Sequence, residues 1–187
     1  RVGKTYLLDH AFRGARYFYF LAGQTTAELN KRELLSEIKP MLEHPEDTAP
    51  DLFPSWRHVF RLFADLAKDG PLVVVLDEFQ NLMGGTDEDI PSQLMAVWDR
   101  EVRGLPLLLV LCGSEVSTLQ GLEDGAGPPE AVAVLQSAGM AFVSVEERYD
   151  AEGVLDKVDA VAEALGVPDK GRALHERLAA DLQAALG

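Results

Sequence analysis

Residues 71–76 constrain the fold more than any other stretch of the sequence. They read Pro-Leu-Val-Val-Val-Leu, an apolar run rich in β-branched residues and without polar alternation. Such a run is typical of a parallel strand covered on both faces, because a half-exposed strand alternates apolar and polar residues. An aromatic run at 16–22 and a second apolar run at 105–111 predict two further strands. The predicted fold class is α/β, with a mostly parallel sheet flanked by helices.

Three helices are predicted between and beside these strands. The first covers about residues 27–39, with Thr25 and Glu28 as a capping box at its start. The second covers 56–68, where apolar residues recur on one helical face. The third opens at Pro91 and runs to about residue 103.

The character of the sequence changes after about residue 120. Gly and Pro dominate residues 121–129, which predicts a linker. Beyond it we expect a helix, a strand and two Ala-rich helices, at 129–138, 141–145, about 151–165 and 171–186. The predicted organisation is a partial α/β domain at 1–119, a linker at 120–129 and a helix–strand–helix–helix segment at 130–187.

Acidic and polar residues follow the apolar strands. Asp77 and Glu78 come directly after residues 71–76, as in a Walker B motif. A Mg²⁺–nucleotide site needs an acid at the end of a buried parallel strand, where Asp77 would hold Mg²⁺ through water and Glu78 would polarise the attacking water. The alternative is that Asp77 only caps the strand. Ser114 ends the next apolar strand, where it either senses the γ-phosphate or is an ordinary turn residue.

The chain begins with what reads as the second half of a phosphate-binding loop. That loop is Gly-x-x-x-x-Gly-Lys-Ser/Thr, between a strand and a helix. Gly3, Lys4 and Thr5 match its end, so its first glycine would precede Arg1 by three residues. In this interpretation Lys4 reaches the β/γ-phosphates of ATP and Thr5 ligates Mg²⁺. The sequence therefore predicts a fragment; the alternative is that the three residues form a solvated turn.

Charge and cysteine content limit the classes of function. The net charge of −14 argues against a broad nucleic-acid surface, which needs clustered Lys and Arg. Cys112 is the single cysteine, which fits a reducing, cytoplasmic setting, and it reads as a core residue rather than a nucleophile. No stretch approaches eighteen consecutive apolar residues, so no membrane span is predicted. The histidines show no ligand spacing and are assigned no metal: His10, His44, His58 and His175.

Five blocks in the first part of the chain resemble, in order, the archaeal-type AAA+ P-loop ATPases. They read RVGKTYLL, RYFYFLAGQTTAEL, PLVVVLDEFQNL, AVWDR and LLLVLCGSEVS. The resemblance covers about residues 1–119 and implies an ASCE-type sheet, ATP and Mg²⁺ as cofactors, and ATP hydrolysis in the intact family. The arginine-bearing segment and helical lid that usually follow are not recognisable. The resemblance also implies the roles given above to Gly3, Lys4, Thr5, Asp77, Glu78 and Ser114.

The resemblance to the ATPase family also implies an order of strands in the sheet. In that order, the strand before the phosphate loop lies between the strand at 72–76 and the one at 106–111. Without that strand both neighbours would have unpaired edges, which is an aggregation hazard. The sequence therefore predicts a gap, with either poor solubility or filling by residues 141–145.

The last part of the chain resembles a different family. The stretch GAGPPEAVAVLQSAGMAFVSVEERYDAEGVLDKVDAVAEALGVPDKGRAL is similar to the later half of the N-terminal lobe of hemin-uptake substrate-binding proteins. The resemblance covers about 121–187 and implies a haem or siderophore transport component as the alternative function. Tyr149 and His175 match no ligand position of that family. Two other interpretations stay open: a generic helix–strand–helix unit, and a composite chain that binds no ligand.

Overall fold

The computed structural model describes two compact units, and each is considered by itself. The described residues are 8, 12, 14–83, 85–113, 151–164 and 166–186. The sheet unit contains the described residues from 15 to 113, and the hairpin unit contains those from 151 to 186 together with Leu8, Phe12 and Gly14. The predicted linker at 120–129, the helix at 129–138 and the strand at 141–145 lie outside the described residues. The predicted domain boundaries therefore stay predictions.

Three parallel strands form the sheet, in the order β1-β2-β3. They are β1 (Tyr17–Leu21), β2 (Leu72–Asp77) and β3 (Leu107–Leu111). In the register, Leu21 lies opposite Asp77, and Leu76 lies opposite Leu111. The apolar runs predicted these three strands, and the sheet confirms a mixed α/β fold with parallel pairing.

The two faces of the sheet differ in their surroundings. One face carries Phe18, Phe20 and Val74, which join the main hydrophobic core. On the other face Val75 is fully buried at the centre, whereas Leu108 on β3 is 37% exposed. Because β2 is buried on both faces, its sequence has no polar alternation before Asp77.

The predicted gap between β2 and β3 is wrong. Residues Leu72–Leu76 pair directly with Leu107–Leu111, and no strand lies between them. Two parallel apolar strands satisfy each other's backbone N–H and C=O groups, so direct pairing leaves none of the ladder groups between them unmatched.

Three helices accompany the sheet. They are α1 (Ala27–Glu37), α2 (Trp56–Lys68) and α3 (Ile90–Val97). Short 3₁₀ turns lie at Lys39–Met41, Pro45–Thr48, Pro50–Leu52 and Phe79–Met83. The prediction of a regular helix as far as residue 103 is wrong, because a π-helical turn at Trp98–Val102 replaces the α-helix. Its last N–H, from Arg103, donates to the carbonyl of Trp98 at 3.0 Å, which lets the chain turn toward β3.

Helix α1 begins at Ala27, as predicted, but its capping residue is not the predicted Thr25. Its N-cap is Thr26, whose extended backbone lets the side chain accept from the N–H of Leu29 at 3.3 Å. Glu28 does not reach back to Thr25 but forms an ion pair with Lys31 at 2.7 Å. The hydrogen bond from Lys31 holds the pKa of Glu28 below its usual value.

Helix α2 is fixed at both ends by residues distant in sequence. Trp56 and Phe60 are buried in the core, with ring centroids 6.0 Å apart. The N–H of Trp56 donates to the carboxylate of Glu88 at 3.2 Å. At the other end, the Arg16 guanidinium donates to the carbonyl of Leu66 at 2.6 Å. Helix termini leave such groups without intrahelical partners, so these contacts hold α2 in place beside the sheet.

The hairpin unit consists of two helices, as predicted. They are α4 (Ala151–Ala164) and α5 (Pro168–Leu186), with Gly166 in the turn at a φ of +68°. Val158 and Leu174 form a small core between them. A Cβ added at Gly171 would lie 2.2 Å from the Cβ of Ala162, so glycine allows the two helices to approach closely. Among the described residues of either unit, no helix has the length and apolar content needed to cross a membrane.

Candidate functional site

The candidate site lies at the edge of the sheet where the strands end. Asp77 is the last residue of β2 and is 5% exposed, and Glu78 follows it at 9%. The strands are parallel, so the ends of β1 and β3 meet at this same edge. Open α/β sheets bind ligands outside the carboxyl ends of their strands, which makes this the edge where a nucleotide site is expected.

The carboxylate of Asp77 accepts a hydrogen bond at each of its oxygens. The hydroxyl of Tyr19 donates to Oδ2 at 2.8 Å, and the backbone N–H of Glu78 donates to Oδ1 at 2.9 Å. Tyr19 lies opposite Val75, two residues before Asp77. Side chains two residues apart project from the same face of a strand, which brings the phenol to the carboxylate. Both oxygens of Asp77 are therefore oriented by neutral donors.

Glu78 has an unusual backbone conformation. Its φ is +53°, and among the described residues it is the only one other than glycine with a positive φ. Its carboxylate accepts from the Gln80 side chain at 2.6 Å, while its carbonyl accepts from the N–H of Asn81 at 2.8 Å. L-residues other than Asn and Asp rarely adopt this region, and such strain gathers at functional sites.

A buried amide network connects the loop after β1 to the turn after β2. Asn30 on α1 is fully buried, and its oxygen accepts from the N–H of Gly23 at 2.8 Å. Its amide donates to the carbonyls of Gly23 and Asn81 at 3.1 and 3.3 Å. Asn81 in turn donates to the carbonyl of Ala22 at 3.0 Å. Because buried polar groups lose free energy when left unpaired, these bonds fix both segments next to Asp77.

The structure brings together only part of the predicted site. Asp77 and Glu78 are adjacent at the end of β2, as predicted. Four other predicted residues, Gly3, Lys4, Thr5 and Ser114, lie outside the described residues, so their roles stay predictions. Cys112 is half-buried just after β3, where its N–H donates to the carbonyl of Leu76 at 2.9 Å.

Sequence reasoning missed four polar residues around the site: Tyr19, Asn30, Gln80 and Asn81. Tyr19 sits in an aromatic run and reads as core until the strand register is known. Asn30 interrupts the apolar spacing of α1, and a polar residue on the buried face of a helix is a signal that could have been followed. Gln80 and Asn81 follow the acidic pair in sequence, and only the positive φ of Glu78 turns them back toward it.

The residues at the site fit a Mg²⁺–nucleotide ligand. Mg²⁺ prefers carboxylate, hydroxyl and water oxygens and is commonly held by one or two carboxylates together with substrate phosphates. A carboxylate oxygen has two lone pairs, so it can accept a hydrogen bond and ligate a cation at once. Within the described part of the chain, no group of three or more His, Cys, Asp or Glu side chains could hold a metal by itself. Asp77 offers one carboxylate of the kind that Mg²⁺ accepts as a ligand.

The hairpin unit shows a different kind of pair. His175 on α5 lies 2.8 Å from a carboxylate oxygen of Asp159 on α4. Asp159 is exposed, and the pair ties the two helices together across their surface. This contact gives His175 a structural role in the hairpin unit.

The comparisons with known proteins leave the family open. The chain matches no protein-family model, no curated protein and no solved structure. A function for this chain is therefore inferred from the geometry at the end of β2 and from the sequence.

Proposed function

We propose that residues 1–119 form a P-loop ATPase module that binds ATP with Mg²⁺. The observation that supports this most strongly is the carboxylate of Asp77. It lies at the end of the central, buried strand of a parallel sheet and is held at both oxygens by Tyr19 and by the backbone of Glu78. A buried, oriented acid at this edge is what a Mg²⁺–nucleotide site requires.

The proposed site uses residues that the structure describes and residues outside the described part of the chain. Asp77 would hold Mg²⁺ through a water molecule, and Glu78 would polarise the attacking water. Lys4 and Thr5, outside the described residues, supply a charge for the β/γ-phosphates and a hydroxyl ligand. Ser114 contacts the γ-phosphate. When bound, Mg²⁺ neutralises part of the phosphate charge.

The order of the strands affects where the rest of the loop belongs. The direct pairing of β2 and β3 leaves no place between them for a strand that would lead into the phosphate-binding loop. The single cysteine is compatible with a cytoplasmic setting, where ATP and Mg²⁺ are abundant. We expect residues 1–187 to bind ATP weakly or not at all and to show no measurable hydrolysis, because Gly3, Lys4 and Thr5 match only the end of a phosphate-binding loop.

Calorimetric titration with Mg²⁺–ATP tests the proposal. The proteins are residues 1–187, a form extended upstream by a strand and a Gly-x-x-x-x segment, and the extended form with Lys4→Ala. A charge-assisted hydrogen bond contributes about 1.5–3 kcal/mol, so Lys4→Ala should weaken binding by roughly 10- to 100-fold. Lys68→Ala is the matched control, because Lys68 is exposed at the end of α2, which precedes the opposite edge of the sheet.

Two results would contradict the proposal. One is that the extended form binds Mg²⁺–ATP no better than residues 1–187. The other is that Lys4→Ala and Lys68→Ala have the same effect. In either case Gly3-Lys4-Thr5 is not the end of a phosphate-binding loop.

A further inference from the structure

Tyr19 is the described side chain that links β1 to the candidate cation ligand. Its hydroxyl crosses from β1 to β2 and donates to Oδ2 of Asp77 at 2.8 Å. The backbone N–H of Glu78 donates to the other oxygen, Oδ1, at 2.9 Å. A second donor, on a different strand, fixes the plane of the carboxylate.

We infer that Tyr19 is a positioning residue that orients Asp77 for a divalent cation. This inference rests on the proposed function for the cation role of Asp77. A neighbour that hydrogen-bonds a metal-binding carboxylate fixes its rotamer before the metal arrives, and loss of such a neighbour typically costs 10- to 100-fold in affinity. Phenol is neutral at pH 7, so it orients the carboxylate without adding a positive charge that would repel the cation.

The position of Tyr19 distinguishes this role from simple packing. Its neighbours Phe18 and Phe20 face the main core and are buried, whereas Tyr19 is half-buried on the opposite face. Tyr17 shares that face but lies opposite Val73, about 13 Å along the strand from Asp77 at 3.3 Å per residue. Tyr17→Phe is therefore a matched control: it removes a phenolic hydroxyl from the same strand and the same face, but far from Asp77.

The test measures the binding of Mn²⁺, a paramagnetic substitute for Mg²⁺, by the relaxation rate of water protons. Titrations use Mn²⁺ alone and Mn²⁺ with ATP, against residues 1–187 and the extended form, each as wild type, Tyr19→Phe and Tyr17→Phe. We expect Tyr19→Phe to weaken Mn²⁺ binding about 10-fold and Tyr17→Phe to leave it unchanged. Unfolding in urea, followed in parallel, shows whether each variant is folded under the conditions of the titration.

A double-variant cycle separates positioning from a structural effect. In the Asp77→Asn background, Tyr19→Phe should cause no further loss of Mn²⁺ affinity, because the oriented carboxylate is already gone. Equal losses in both backgrounds would show that Tyr19 only supports the fold. Equal effects of Tyr19→Phe and Tyr17→Phe would also overturn the inference, as would Mn²⁺ binding that does not depend on Asp77.

The outcomes distinguish this inference from the proposed function. If Lys4→Ala does not affect ATP binding but Mn²⁺ alone depends on Asp77 and Tyr19, the phosphate loop fails and the positioning role stands. If Mn²⁺ binds to none of the forms with or without ATP, the positioning role fails.

Discussion

The positive φ of Glu78 gives a sharp prediction about stability. At this position, glycine should be at least as stable as alanine, although glycine usually destabilises a folded chain relative to alanine. The comparison uses Glu78→Gly and Glu78→Ala, because both variants lose the carboxylate and its 2.6 Å hydrogen bond from Gln80. The difference between them therefore reports the backbone conformation and the single Cβ.

The expected magnitude follows from the geometry. A φ of +53° costs an L-residue roughly 1–2 kcal/mol and costs glycine almost nothing. Two effects lower the stability of the glycine variant. The unfolded chain is more flexible with glycine, which costs about 0.4–1 kcal/mol, and part of a buried methyl group worth about 0.8 kcal/mol is lost. At Glu33, an exposed residue inside α1, alanine should instead be more stable by about 1 kcal/mol. At each position we compare the free energy of unfolding of the glycine variant with that of the alanine variant. This comparison should favour glycine by roughly 1–2 kcal/mol more at Glu78 than at Glu33.

Tryptophan fluorescence during urea unfolding measures the difference in the appropriate part of the chain. The two tryptophans, Trp56 and Trp98, both belong to the sheet unit, so their signal does not report the helices of the hairpin unit. The midpoints and slopes of the four variants give the free energies of unfolding. If glycine is less stable than alanine by the same amount at Glu78 and at Glu33, the backbone at Glu78 is not strained and the reasoning fails.

Two further predictions concern packing and charge. Gly171→Ala should destabilise the α4–α5 hairpin by about 1–3 kcal/mol, because the new methyl group would collide with Ala162. Thermal unfolding followed by circular dichroism measures this loss, and the additional change Ala162→Gly should restore most of it. An unchanged melting temperature in Gly171→Ala would contradict the close approach of the two helices. Glu28→Gln should lower the stability of the sheet unit by about 0.5–1 kcal/mol near pH 7, because Glu28 is half exposed and pairs with the buried Lys31. Since the folded pKa of Glu28 is lowered, this contribution is present above its unfolded pKa and is lost as the pH falls through the folded pKa. Urea unfolding from pH 7 to pH 4, with Glu33→Gln as control, should show the difference shrinking in acid, and a difference that grows in acid would refute the assignment.

The sequence predicted those elements whose signal is local. Residues 71–76 predict β2, because a strand buried on both faces lacks polar alternation. The apolar spacing of residues 56–68 predicts α2 with its correct bounds. The end of α3 was mispredicted because apolar spacing continues through Trp98–Val102, and spacing does not distinguish an α-turn from a π-turn. The order of β2 and β3 was mispredicted because strand pairing depends on contacts that are distant in sequence.

The candidate site shows the same division. Asp77 and Glu78 could be predicted because they follow an apolar strand directly. The role of Tyr19 could not, because it depends on the register that sets Tyr19 opposite Val75. Even with the strands known, a shift of one residue in that register would turn the phenol to the other face of the sheet.

The arrangement around Asp77 and Glu78 is difficult to explain by stability alone. Adjacent carboxylates that are 5% and 9% exposed lose much of their hydration, and burial of charge costs free energy even when hydrogen bonds compensate part of it. Glu78 also occupies a left-handed backbone conformation that Gly or Asn adopts at less cost. A residue that only ends a strand needs neither a buried charge nor strain. The Asn30 network nevertheless holds both loops rigidly around this pair. A structural cap would not offset these two costs, whereas the cation-bearing ligand that we propose would offset the buried charge, and strain of this kind gathers at functional sites.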